Sequence, residues 1–198
     1  MRAVIFYATR EGQSRRVAEH IAECLRGRRF HVDLYNVGDA AAAVDWNSCD
    51  AAFVVASVHA GHHEREMRRF VSTHRLALQR LDASFLSLTL SQAGAQDTTQ
   101  PSDRRNASAA DAQRMIDVFV EETGWRPAHA LPVAGALAYS QYNFIKRFMM
   151  KRIAAKAGGP TDTSRDYEFT DWAEVDRFTR EHAGSGFQGE PGTRNLEA

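Results

Sequence analysis

Thr9, Gly12 and Ser14 fall in the stretch FYATREGQS (residues 6–14), between an apolar run that stops at Ala8 and a helical pattern that begins at Ser14. Such residues at such a junction can hold an anion. The first amides of a helix have no intrahelical acceptor and lie at the positive end of its dipole, so a strand-loop-helix junction receives negative charge readily. Thr9 and Ser14 add hydroxyl donors, and Gly12 lets the backbone curl. The loop has neither the glycine spacing of a dinucleotide fingerprint nor the Gly-Lys-Ser/Thr ending of a nucleotide-triphosphatase loop. Neutral donors without a lysine suit a single phosphate monoester. The plainer alternative is that Thr9 and Ser14 only cap the helix; their place after a first buried strand weighs against it.

Three other groups of residues could carry chemistry. HAGHHE holds His59, His62 and His63, but no set of carboxylates and histidines at ligand spacing completes a metal site there. His74 and His182 sit on apolar helix faces and read as core residues, while His20 and His129 carry no signal. YNFIKRFMMKRIAAKAGG interleaves Lys146, Arg147, Lys151, Arg152 and Lys156 with aromatic and aliphatic residues. Long basic stems can cover apolar surface while their charge stays in water. That helix could lie on an anionic membrane surface, offer cations to carboxylates, or simply complete the core. Arg104 and Arg105 read as a solvated pair beside Asp97 and Asp103.

The elements that position these residues alternate. Arg2–Ala8, Phe30–Val37, Ala51–Val58, Ser84–Leu90 and His129–Tyr139 read as strands, mostly apolar throughout, as parallel strands buried on both faces are. Helical spacing runs through Val17 to Leu25, Met67 to Leu81, Met115 to Val120, and Asp171–His182, where Asp171 and Glu174 are spaced as a capping box. Residues 91–107 are polar and turn-rich and read as a loop. This is an α/β pattern with a doubly wound five-stranded parallel sheet in the order 2-1-3-4-5. Ligands of such sheets sit at the C-terminal ends of strands 1 and 3, here Thr9–Ser14 and Ser57–His63. About thirty residues (140–168) intervene before the last helix and read as an inserted helical segment after or within the fifth strand.

The 198 residues suit one domain, residues 1–183, with a glycine-rich polar tail from Gly184 to Ala198 expected to be disordered. Twenty-five basic and twenty-five acidic side chains leave no net charge, which argues against a general nucleic-acid binder and, mildly, against an acidic electron shuttle. Two cysteines, Cys24 and Cys49, make neither a zinc site nor a disulfide framework and fit a reducing cytosol. Residues 1–8 read as a strand rather than a secretion signal. No apolar run approaches the ~20 residues of a spanning helix, so any membrane contact is expected to be peripheral.

TREGQS resembles the phosphate loop with which flavodoxin-like proteins hold FMN. ASVHAGHH, GWRP, VAGAL, RFMMKRI, GGPTDT and TDW extend the likeness from Met1 to about His182 and make it resemble the menaquinone-dependent protoporphyrinogen oxidase family. The resemblance implies that Thr9, Arg10, Glu11, Gly12, Gln13 and Ser14 surround the FMN phosphate. It implies that Ser57, Val58, His59, Ala60, Gly61 and His62 form a second flavin loop beside the isoalloxazine, and Leu90, Ser91, Gln92, Ala93 and Gly94 a third. Ala8 stands where a hydroxyl residue is common and Ala60 where an aromatic often precedes Gly61-His62, which leaves ring contacts to His59 or His62. The resemblance further implies oxidation of protoporphyrinogen IX in heme synthesis, with menaquinone or ubiquinone as acceptor, in the cytoplasm and peripheral to the inner membrane. Lys146, Arg147, Lys151 and Arg152 are the residues it offers to substrate or membrane. The rivals are an NAD(P)H:quinone reductase on the same fold and a non-catalytic flavodoxin electron carrier.

Overall fold

The computed structural model describes residues 1–39, 44–81, 83–156 and 159–183. The tail from Gly184, expected to be disordered, lies outside the described residues.

The central layer is a parallel sheet built from β1 (Arg2–Tyr7), β2 (His31–Asn36), β3 (Ala51–His59), β5 (Ser84–Thr89) and β6 (His129–Ala134), in the order β2-β1-β3-β5-β6. With the two-residue β4 (His62–His63) set aside, this is the expected 2-1-3-4-5 order. Ile5 lies opposite Leu34 on one side and Phe53 on the other, and Leu88 lies between Ser57 and Val133. Alternate side chains feed two separate cores, as a period of two requires. Ile5, Phe53 and Leu86 pack beneath α1 (Gln13–Gly27) and α6 (Trp172–His182), against Ile21, Leu25 and Phe178. Phe6, Val54 and Phe85 pack beneath α2 (Arg65–Arg80) and α4 (Ser102–Thr123), against Met67, Leu78 and Phe119. Burial on both faces explains why these strands read as apolar runs rather than alternating ones.

β3 continues beyond the sheet and folds back on itself as β4, pairing Val58 with His63 and His59 with His62. The two turn residues, Ala60 and Gly61, have φ of 51° and 85°. A two-residue hairpin with both central φ positive matches the right-handed twist of its strands.

Two expectations are corrected. Residues 91–107 are not a loop: α3 (Leu90–Gln96) follows β5 directly, and α4 begins at Ser102. The Thr89 side chain caps α3 by accepting the Ser91 amide at 3.1 Å, and Pro101 opens α4. A Cβ at Gly94 would stand 3.0 Å from Ser108 Oγ, so the glycine lets α3 lie close on α4. Small polar residues favour turns when isolated but form helix once caps and packing are supplied. The fifth strand, expected to reach Tyr139, leaves the sheet at Gly135, whose amide donates to Thr89 O at 3.1 Å. β7 (Ala136–Leu137) then pairs antiparallel with β8 (Tyr167–Glu168), and a 3₁₀ turn takes up Tyr139–Gln141. The inserted segment, with its helix α5 (Phe144–Lys156), is thus held between β7 and β8. α6 starts as expected, Asp171 accepting the Glu174 amide at 3.1 Å.

Candidate functional site

The loop after β1 ends at Gly12, which caps α1 in the left-handed region at φ 88°. No side chain caps this helix, and its first turn holds no acidic residue. Thr9 Oγ1 accepts the Gly12 amide at 2.8 Å, which closes the loop into a curl. Ser14 is fully buried, its hydroxyl 2.5 Å from that of Ser57 at the end of β3. Gln13 points toward β8, donating to Glu168 Oε1 at 2.9 Å and Thr170 Oγ1 at 2.8 Å. Arg16 adds a contact to the other Glu168 oxygen at 2.9 Å. Glu11 is held by the insertion: Lys146 Nζ donates to its carboxylate, and Gln141 Nε2 to its main-chain oxygen at 3.2 Å.

A cavity of about 370 Å³ opens over the C-terminal ends of β1, β3, β5 and β6. Thr9, Glu11, Gln13, Ser57, Val58, His59 and Leu90 line it, and the insertion supplies Tyr142 and Met150. A larger cavity of about 540 Å³ adjoins it, sharing Leu90 and Leu137 and taking Ser91, Ala93 and Gly94 into its wall. Thr9, Glu11 and Gln13 of the first loop thus meet Ser57, Val58 and His59 of the second at one cavity, whose lining does not include Gly12 or Ser14, whereas the residues expected to form a third loop lie on a helix between two cavities.

Other expected site residues stand apart. Arg10 turns outward to Glu66 at 3.0 Å. Ala60 and Gly61 form the exposed hairpin tip. His62 Nδ1 lies 2.8 Å from Glu122, which also accepts Arg68 at 3.0 Å. Gln92 lines neither cavity. Of the four basic residues singled out on α5, Lys146 reaches the first loop and lies 4.7 Å from the Tyr142 ring centroid. Arg147 donates inward to the carbonyls of Tyr139 and Tyr142, at 3.1 and 3.2 Å. Lys151 and Arg152 remain exposed.

Sequence reasoning missed Glu64 and Tyr142. Glu64 follows the two histidines of β4, and the hairpin returns it beneath β3. There its Oε2 accepts the Ser57 amide at 2.9 Å and its Oε1 faces His59 Nε2 at 3.5 Å. Burial raises its carboxyl above the ordinary value, opposed by His59. Among the described residues, His59 Nε2 is buried without a hydrogen-bond partner, a polar atom at the cavity edge. Burial, with Glu11 nearby, pushes the Tyr142 phenol up to about 12. The signal for Glu64 was its place at the end of HAGHHE; nothing local marked Tyr142. His20 and His129 also acquire partners: His20 Nε2 lies 2.9 Å from Asp176, and His129 stacks on His182 at 3.7 Å.

A family model described as flavodoxin domain matches residues 4–164. The chain is 31% identical over 183 residues to protoporphyrinogen IX dehydrogenase (quinone) of Escherichia coli strain K12, covering 92% of this chain and 95% of that one. It is 26% identical to the protein of the same name from Leishmania major, covering 92% of this chain and 74% of the relative. Among solved structures, oxidised flavodoxin 1 from Bacillus cereus superposes over 92% of this chain and 97% of its own, with a TM-score of 0.48 and 15% identity.

Proposed function

The chain belongs to the flavodoxin domain family, among its protoporphyrinogen IX dehydrogenases (quinone), and from that premise we propose that it binds FMN, oxidises protoporphyrinogen IX and passes the electrons to a quinone. The observation that carries the reading is the likeness to the Escherichia coli enzyme, which spans nearly the whole of both chains.

The residues present suit FMN. Beyond the curl, whose Gly12 amide is taken by Thr9 Oγ1, the uncapped start of α1 offers its first amides to a phosphate ester. Among the described residues a Cβ at Gly12 would meet nothing within 4 Å, which leaves open space above the curl. Lys146 offsets the Glu11 carboxylate beside that site. Ser57, Val58 and His59 form one wall of the cavity, Leu90 another, and Tyr142 and Met150 shield it from the insertion side. When bound, the isoalloxazine supplies reversible two-electron chemistry, which the protein orients and tunes.

The outer face of α5 is the surface we assign to the membrane. Phe144, Ile145, Phe148 and Met149 are 80%, 65%, 62% and 51% exposed and neighbour one another on the helix. Lys151 and Arg152 lie at its edge. An exposed apolar stripe bordered by cations suits the interface of an anionic bilayer, where a quinone is dissolved. Among the described residues no helix is long and apolar enough to cross a membrane. The reading therefore places the protein on the inner face of the membrane as a peripheral enzyme.

The test is anaerobic addition of protoporphyrinogen IX to the FMN-loaded protein. The oxidised-flavin absorbance should disappear and return on addition of menaquinone. An unchanged spectrum overturns the reading. Bleaching by NADPH alone would instead assign a nicotinamide-dependent quinone reductase.

A further inference from the structure

We infer that the larger cavity, between α3, α4 and the insertion, seats the neutral ring of the quinone. The inference rests on the function proposed above and assigns that function's second substrate a place. The wall is largely apolar: Leu90, Ala93, Leu137, Ala154, Pro160 and Phe169. Its volume, about 540 Å³, is that of a small-molecule site. Leu90 and Leu137 also line the smaller, more polar cavity assigned to the cofactor, so occupants of the two would be separated only by shared side chains.

Charge decides between the two substrates. Asp97 is the one charged residue among the described residues of this wall; it accepts from the Thr99 amide and hydroxyl at 3.0 and 2.6 Å, and Arg105 stands near enough to lower its pKa. The charge that the wall itself presents is therefore an anion, which would repel the propionates of a tetrapyrrole. A quinone is neutral and needs only donors for its carbonyl oxygens. The hydroxyls of Ser91, on α3, and Ser108, on α4, lie in the wall; Ser91 is engaged with Asp111 at 2.5 Å, so Ser108 is the assigned donor.

α5 supplies the route. Its inner face gives Met150 to the smaller cavity and Ala154 to the larger, while its outer face carries Phe144 and Phe148. The helix assigned to the bilayer is thus also a wall of both cavities. Tyr139 secures the far edge by donating to the Pro160 carbonyl at 3.1 Å.

The test is photoaffinity labelling of the unaltered protein, with and without FMN, by a short-chain azido-naphthoquinone, followed by peptide mapping. Label should fall within Leu90–Asp97 or Gly159–Phe169 in both states. Ala154→Phe, which fills the cavity from α5, should weaken naphthoquinone binding by about tenfold and leave FMN affinity unchanged. Label confined to other peptides overturns the assignment even if Ala154→Phe fails to fold. Unchanged quinone binding in a folded Ala154→Phe does the same, and a loss of FMN affinity would give the cavity to the cofactor ring. If protoporphyrinogen bleaches the flavin but label falls elsewhere, the cavity assignment alone is lost. Label in the cavity without bleaching would retain the quinone seat and remove the proposed reaction.

Discussion

His59 Nε2 stands 3.5 Å from Glu64 Oε1 and 3.7 Å from Glu11 Oε2, an imidazole between two carboxylates brought from different parts of the chain. Lys146 faces the same group from α5 through its ion pair with Glu11. Glu64 has no exposed side-chain surface, and burial holds its proton above the ordinary carboxylate value of 4.5. The folded state then binds a proton that the unfolded chain has released. The associated stability is present below the unfolded pKa and is lost as pH rises through the folded one. Glu64→Gln keeps an oxygen for the Ser57 amide and removes the titration. Its stability relative to the parent should therefore rise with pH above 4.5, read from urea unfolding at stepped pH. Parallel curves would refute this.

His63 should show the opposite sign. It packs against Phe85 and Phe119 at 5.3 and 4.8 Å, with Nε2 2.8 Å from Ser87 Oγ. Burial, aided by the Arg68 charge, pushes its pKa from 6.5 to about 3. Between those values the unfolded chain holds the extra proton, so stability is lost as pH falls, by ~1.4 kcal/mol per unit at most. His63→Gln should flatten that part of the acid limb. A variant as acid-sensitive as the parent would show that the loss arises elsewhere.

Gly12→Ala separates backbone strain from crowding. No described residue lies within 4 Å of the added carbon, but φ is 88°. The left-handed conformation should cost ~1–2 kcal/mol of stability and weaken FMN binding in fluorescence titration. Gly27→Ala, also with open space around it and without positive φ, serves as the control and should leave FMN affinity unchanged. Equal effects of the two would remove the special role of the curl.

The α5 surface predicts lipid dependence. Lys151→Glu with Arg152→Glu should reduce co-sedimentation with anionic liposomes, and Phe144→Ser with Phe148→Ser should reduce it for neutral liposomes as well. Both pairs are exposed, so stability should stay within ~0.5 kcal/mol per substitution. Undiminished sedimentation by both variants would remove the bilayer from the account.

The parallel strands were legible because each announces itself locally (MRAVIFYA and AAFVVASV are apolar runs, and the helix after the first repeats at 3.6), and their order followed because five such strands alternating with helices suit a doubly wound sheet. Thr9, Gly12 and Ser14 were legible as a junction for the same reason. Residues 91–107 were misread because their helix depends on Thr89 as a cap and on Gly94 meeting Ser108, contacts that lie outside the local pattern. The end of the fifth strand was misread because an apolar run does not say which sheet its last residues join. Gly135 decides that through Thr89, and Ala136 through its pairing with Glu168.

What the sequence determined by itself is what period and composition encode: an α/β pattern of five strands, which suits the doubly wound order, a first loop carrying hydroxyls and a glycine, and an inserted segment after or within the last strand. Tertiary structure decided which polar groups meet. A reversal at Ala60 and Gly61 carries Glu64 under His59, and Lys146 reaches Glu11 across 135 residues of chain. Side-chain periodicity acts over a few residues, whereas these encounters depend on distances set only after the layers have packed.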